Sequence, residues 1–122
     1  MSSPVVESLQ LHRQSRQLEV AFSDGHRFML PCEYLRVNSP SAEVQGHHPS
    51  QRVLVSGKRE VNITAIDTVG HYAVCLSFSD GHASGIYSWE TLYRLGREQP
   101  ERWPAYLAEL AQAGLSRDPP TR

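Results

Sequence analysis

Six histidines, at positions 12, 26, 47, 48, 71 and 82, are the side chains in this sequence best suited to chemistry near neutral pH. Imidazole is the commonest neutral metal ligand, and two imidazoles plus a carboxylate that leave coordination positions open suit non-haem iron(II). Glu43 and His47 stand four residues apart, on one face if the segment makes a helical turn, and His82 is the candidate third ligand. Such a site would take iron(II) or zinc. The bland alternative is that six scattered histidines produce this triple by accident, and that a histidine beside a glycine turn is solvated or capping. His47 and His48 form a weak pair, because adjacent side chains diverge on a regular backbone. Cys32 and Cys75 are too few for a disulfide framework and fall in strand-like contexts, where a thiol behaves as a small buried hydrophobe. A reducing, cytoplasmic setting is expected, with no charged-then-apolar leader at the start of the chain.

Other chemistries lack their parts. There is no Gly-rich phosphate loop, no Gly-x-Ser-x-Gly elbow and no visible nucleophile–base pair, so an enzyme is not expected. Lys plus Arg number 12 against 13 Asp plus Glu, a net charge of −1, and this balance creates no field for nucleic acid or an anionic membrane. No apolar run approaches the ~20 residues needed to cross a bilayer.

The elements that must position these groups are legible as alternation and periodicity. The 122 residues fit one domain, expected over 5–114, with 1–4 and 115–122 as flexible termini. Leu18, Val20 and Phe22 alternate with polar or small neighbours, then Asp24-Gly25 supplies the backbone freedom of a tight turn, and Phe28 and Leu30 resume the pattern. An earlier strand from about Val6 to His12 pairs alongside. The same device returns 56 residues later: Phe-Ser-Asp-Gly-His occurs at 22–26 and again at 78–82, with Val74 and Leu76 alternating before it. Each copy leads into an aromatic-containing helical segment, 31–36 and 89–94. This predicts an internal duplication of a hairpin and a turn of helix, against the alternative that turn chemistry converges by chance.

Between the copies, Pro40, Gly46, Pro49 and Gly57 break regular structure and predict a long surface excursion, followed by a strand over about Val61–Asp67. The C-terminal part reads as two helices. One is short and ends near Gly96–Pro100; the other carries Trp103, Tyr106, Leu107, Leu110 and Ala111 on a stripe that stops at Gly114. The predicted fold class is α+β: mostly antiparallel sheet from two similar hairpins plus extra strands, covered by C-terminal helices.

Three separated motifs, Leu35-Arg36-Val37-Asn38-Ser39-Pro40-Ser41-Ala42-Glu43-Val44, Asp80-Gly81-His82-x-Ser84-Gly85-Ile86-Tyr87-Ser88-Trp89 and Ser23-Asp24-Gly25-His26, occur in an order that resembles the N-terminal domain of gamma-butyrobetaine hydroxylase-like proteins. The resemblance covers roughly residues 8–112. It implies a domain that precedes an iron and 2-oxoglutarate barrel and holds a structural zinc through Asn-Cys-Pro-Cys-x-x-Cys and a later histidine. Here that segment reads Asn38-Ser39-Pro40-Ser41-Ala42-Glu43-Val44, and only His82 remains. Hydroxyls bind zinc poorly beside thiolates, so the zinc is not expected to carry over, nor is the hydroxylase activity in a chain with no room for the barrel. The domain also resembles an extension found on some P-loop iron–sulfur carrier proteins. The resemblance therefore implies a non-enzymatic interaction or accessory module serving iron or iron–sulfur enzymes through a protein partner. Arg36, Asn38, Tyr87 and Trp89 are the expected contact residues, since guanidinium and aromatic side chains anchor interfaces. The alternative is a metal-binding protein using Glu43, His47 and His82.

Overall fold

The computed structural model describes residues 4–45 and 53–119, with the side chains of Ala42 and Glu43 outside that description. The chain runs β1 (Val6–His12), β2 (Gln17–Phe22), β3 (Arg27–Pro31), α1 (Cys32–Val37), α2 (Ala42–Gln45), β4 (Ile63–Val69), β5 (Ala73–Phe78), β6 (Gly85–Ser88) and α3 (Trp89–Ala113). The fold is α+β. Two three-stranded antiparallel meanders form, β1-β2-β3 and β4-β5-β6, each from strands consecutive in sequence.

Alternation decides which face is inside. Leu18, Val20, Phe22 and Leu30 of the first sheet and Ile63, Val74, Leu76, Phe78 and Tyr87 of the second belong to one core, which Tyr34 and Leu35 of α1 and Leu92 and Leu95 of α3 complete. Removing each large side chain of this kind from water contributes roughly 1.5–3 kcal/mol before entropy is counted. A second, smaller cluster of Val37, Tyr106 and Leu110 pins the far half of α3 against Leu54 and Val55.

The repeat is a repeat of structure as well as of letters. In the first turn the Phe22 N–H donates to the His26 carbonyl at 2.8 Å and Gly25 N–H to Phe22 at 3.0 Å; in the second, Phe78 donates to His82 at 2.8 Å and Gly81 to Phe78 at 3.0 Å. Gly25 and Gly81 share φ of 93°, a left-handed value that glycine adopts without penalty. Each sheet even carries its register shift at the matching place, between Val6 and Ser8 and between Ile63 and Ala65.

Four details differ from the expectation. The C-terminal region is one helix of 25 residues that passes through Pro100 and Pro104. A proline forfeits its own N–H bond and crowds the preceding turn, but the core and the second cluster hold the helix on both sides of it. Its buried stripe is narrower than predicted: Tyr106 and Leu110 are buried, while Leu107 and Ala111 are exposed. The chain beyond α3 does not fray at once. Gly57 N–H donates to Ser116 and Arg59 N–H to Arg117, both at 2.9 Å, and Arg117 clasps Glu33 of α1 with Nη2 at 2.7 Å and Nε at 2.9 Å. The strand predicted at Val61–Asp67 is displaced by two residues, to Ile63–Val69.

Candidate functional site

Each Asp-Gly turn is gripped by the helix of the opposite half. Arg36, the fifth residue of α1, donates from Nε to Asp80 Oδ2 in the second turn at 2.8 Å. Tyr93, the fifth residue of α3, donates its hydroxyl to Asp24 Oδ2 in the first turn at 2.7 Å. In both turns the other carboxylate oxygen accepts the backbone N–H two residues on, His82 N at 3.1 Å and His26 N at 3.0 Å, the closing bond of an Asx turn.

The second turn is closed and polar. His82 is 6% exposed and its Nε2 lies 2.9 Å from the hydroxyl of the fully buried Ser39. The same hydroxyl accepts from Ser41 N–H at 3.2 Å, Ser41 and Ser84 pair their hydroxyls at 2.7 Å, and Gln45 donates to the Ser39 carbonyl at 2.8 Å. Gly85 is required by this approach, because a Cβ there would lie 2.6 Å from Ser39 Oγ. Lys58 Nζ adds a second cation to Asp80 at 2.7 Å. Burial raises the Asp80 pKa, but bonds from Lys58, the His82 N–H and Arg36 outweigh it and hold the carboxyl down at about 2. Arg36 Nη1 is buried without a hydrogen-bond partner among the described residues.

The first turn repeats the frame with different contents. Asp24 Oδ2 also accepts from His26 Nδ1 at 2.9 Å, and His26 stacks on Phe28 at 5.8 Å. Tyr93 meets Phe22 edge-on at 5.0 Å, and the Arg97 guanidinium lies 5.8 Å above the Tyr93 ring. Gly96 follows the Ser88 cap of α3 by eight residues as Ser39 follows the Pro31 cap of α1. At Gly96 the Phe28 ring fills the space, 2.5 Å from where a Cβ would stand. Thus serine meets glycine in one half, and glycine meets phenylalanine in the other.

Of the predicted metal ligands, His82 is described and bound to Ser39; the Glu43 side chain and all of His47 lie outside the described residues. Among the described residues no three His, Cys, Asp or Glu side chains converge closely enough to hold a metal ion. The zinc cage that the resemblance implies does not fit this donor set: its positions carry the Ser39 and Ser41 hydroxyls and the buried Val44 side chain, and both hydroxyls are tied into hydrogen bonds.

The expected contact residues divide. Tyr87 is corrected to a core residue, fully buried with its hydroxyl donating to the Leu35 carbonyl at 2.5 Å, and burial pushes its pKa up. Arg36 is committed to Asp80. Asn38 donates to the Tyr34 carbonyl at 3.0 Å, accepts from Arg102 at 3.3 Å, and lines a polar cavity of about 300 Å³ with Gln45, Tyr106 and Glu109. Trp89 is half-buried, its indole N–H on the His71 carbonyl at 2.8 Å, and borders an apolar cavity of about 300 Å³ with Pro4, Val5 and Tyr72. Tyr72, 61% exposed, was missed because it lies in a turn outside any periodic run. Asp24 and Tyr93 were missed for another reason: their meeting links residues 69 apart, and only the repeat hints at it.

Comparison with known proteins agrees with this architecture. Two NMR solution structures match with TM-scores of 0.84: one is 44% identical and aligns over 99% of this chain and 95% of its own, the other 52% identical over 98% and 89%. A crystal structure at 1.93 Å of a protein of unknown function in the DUF971 family, from Acidithiobacillus ferrooxidans ATCC 23270, is 40% identical over 78% of this chain and 98% of its own, with a TM-score of 0.65. No curated protein is significantly similar. Residues 9–93 carry the family pattern across more than half of the sequence, and the chain belongs to the gamma-butyrobetaine hydroxylase-like, N-terminal family.

Proposed function

We propose that this domain is a non-enzymatic interaction module that serves an iron or iron–sulfur enzyme system by contact. The observation that carries the reading is the contrast between its two kinds of surface. The buried polar groups that would do chemistry are used inside the molecule: Ser39 on His82, Asp80 on Arg36 and Lys58, Tyr87 on Leu35. Apolar groups that contribute little to the core stand outside it: Tyr72 and Val5, 61% and 51% exposed, flank Trp89, and Ile86, on the edge strand β6, is 50% exposed. Aromatic side chains in an open apolar recess are the usual centre of a protein contact.

The contact is tested by affinity capture from cell extract with the intact chain and with a Tyr72→Ser, Val5→Ser double variant. Both substitutions fall on exposed positions, so the fold is expected to survive. An iron or iron–sulfur protein captured by the intact chain and reduced at least about tenfold with the variant supports the reading. Equal capture by both, or none by either, rejects it.

A further inference from the structure

The bonds that grip the first turn also bring three potential metal donors together. Asp24 Oδ2, His26 Nδ1 and Tyr93 Oη form a triangle with edges of 2.9, 2.7 and 3.3 Å. One face of an octahedron with metal–ligand bonds of ~2.1 Å has edges of about 3.0 Å, whereas a tetrahedron of the same bond length needs about 3.4 Å. The observed edges are hydrogen-bond lengths that bracket the octahedral value, so an ion replacing the bonded protons would need no large movement of the donors. Its donors are a carboxylate oxygen, a phenol oxygen and an imidazole nitrogen, a set on the hard side of the scale. The group is also accessible, with the His26 side chain 47% and the Asp24 side chain 32% exposed, so positions opposite the face are open to water.

We propose that Asp24, His26 and Tyr93 form a facial three-donor site for a hard, six-coordinate metal ion, with ferric iron as the probe that reveals it.

The protons balance without a redox step. On metal binding the Tyr93 hydroxyl releases its proton to solvent and becomes phenolate, and the His26 N–H moves from Nδ1 to Nε2, leaving the ring neutral. The Asp24 carboxylate exchanges its two side-chain hydrogen bonds for the metal and keeps the His26 backbone N–H on its other oxygen. The surroundings hold the donors in place. Phe28 stacks beneath His26, and Phe22 meets the Tyr93 ring edge-on. Arg97 Nη1, 3.5 Å from Tyr93 Oη, is the one nearby cation with a described bond to the group, and it balances the added phenolate charge. The second copy of the turn could not do this: Arg36 and Lys58 occupy its aspartate and its histidine faces the interior.

Ferric iron supplied as its nitrilotriacetate complex, followed by gel filtration, elemental analysis and a visible spectrum, tests the site. The expected result is a single retained equivalent and a tyrosinate-to-iron charge-transfer band. Tyr93→Phe keeps the packing ring and is expected to abolish the band and weaken retention at least about tenfold; His26→Gln and Asp24→Asn are expected to weaken it similarly. Tyr72→Phe, at an exposed tyrosine outside this group, is expected to leave the band unchanged. Iron that washes off the unaltered protein, or a band that survives in Tyr93→Phe, overturns the proposal. Should Tyr93→Phe fail to fold, the other two substitutions decide, since retention and a band unchanged by both also overturn it.

Discussion

Asp80 shows how a single carboxylate links two elements of the fold to pH. Its folded pKa of about 2 lies below the ordinary value near 3.9, so its contribution is fully present above that ordinary value and is lost as pH falls through about 2. After allowance for solvent screening, the depressed pKa is worth about 1–2 kcal/mol. Asp80→Asn is therefore expected to destabilise the protein at pH 7 and to flatten its acid unfolding between about pH 4 and 2, measured by urea titration across that range. Ser39 acts at the same scale without charge. Ser39→Ala removes a buried hydroxyl that serves both His82 and the Ser41 N–H, and is expected to cost about 1–3 kcal/mol by denaturant melting. At this scale the sequence was a partial guide. His82 stood out by type, but its partner could not be read, because Ser39 is brought to it across 43 residues by the folded chain. The guanidinium of Arg36 suggested an outward anchor, whereas its actual use is the aspartate of the repeated turn.

Elements were more legible than residues. Alternation in Leu18-Val20-Phe22 and Val74-Leu76-Phe78 specified strands and their inner faces, and Asp-Gly specified the turns, because both signals are local. The helices were less so. Pro100 and Pro104 suggested a break, and tertiary packing on both sides overrode them. Gly96 looked like the end of a short helix, yet it is buried mid-helix with the Phe28 ring against it. Gly96→Ala would place a methyl 2.5 Å from that ring, and overpacking here is expected to cost about 1–3 kcal/mol despite the better helix propensity of alanine. A net gain in melting temperature would contradict that account of α3 against β3.

The whole molecule is two similar sheets, one shared core and a C-terminal strap. No helix among the described residues is long and apolar enough to cross a membrane. The strap was invisible in the sequence, since residues 116–118 have no apolar period and their work is done by backbone bonds and two ion pairs, Arg117 with Glu33 and Asp118 with Arg59. Glu33 is only 5% exposed, and Arg117, which also lies 5.1 Å over the Trp103 ring, is its partner. Arg117→Ala leaves that carboxylate without its cation and is expected to lower stability by about 3 kcal/mol, whereas truncation after Asp118 is expected to cost far less. Equal effects would place the strap's importance elsewhere.

The reciprocal grip of α1 on the second turn and of α3 on the first has a consequence for assembly. Neither half contains the residue that fastens its own hairpin, so neither is self-sufficient. Two separate polypeptides, residues 1–45 and 53–122, are therefore expected to be poorly ordered alone and to recover native spectroscopy when mixed, as a heterodimer held by the Arg36–Asp80 and Tyr93–Asp24 bonds.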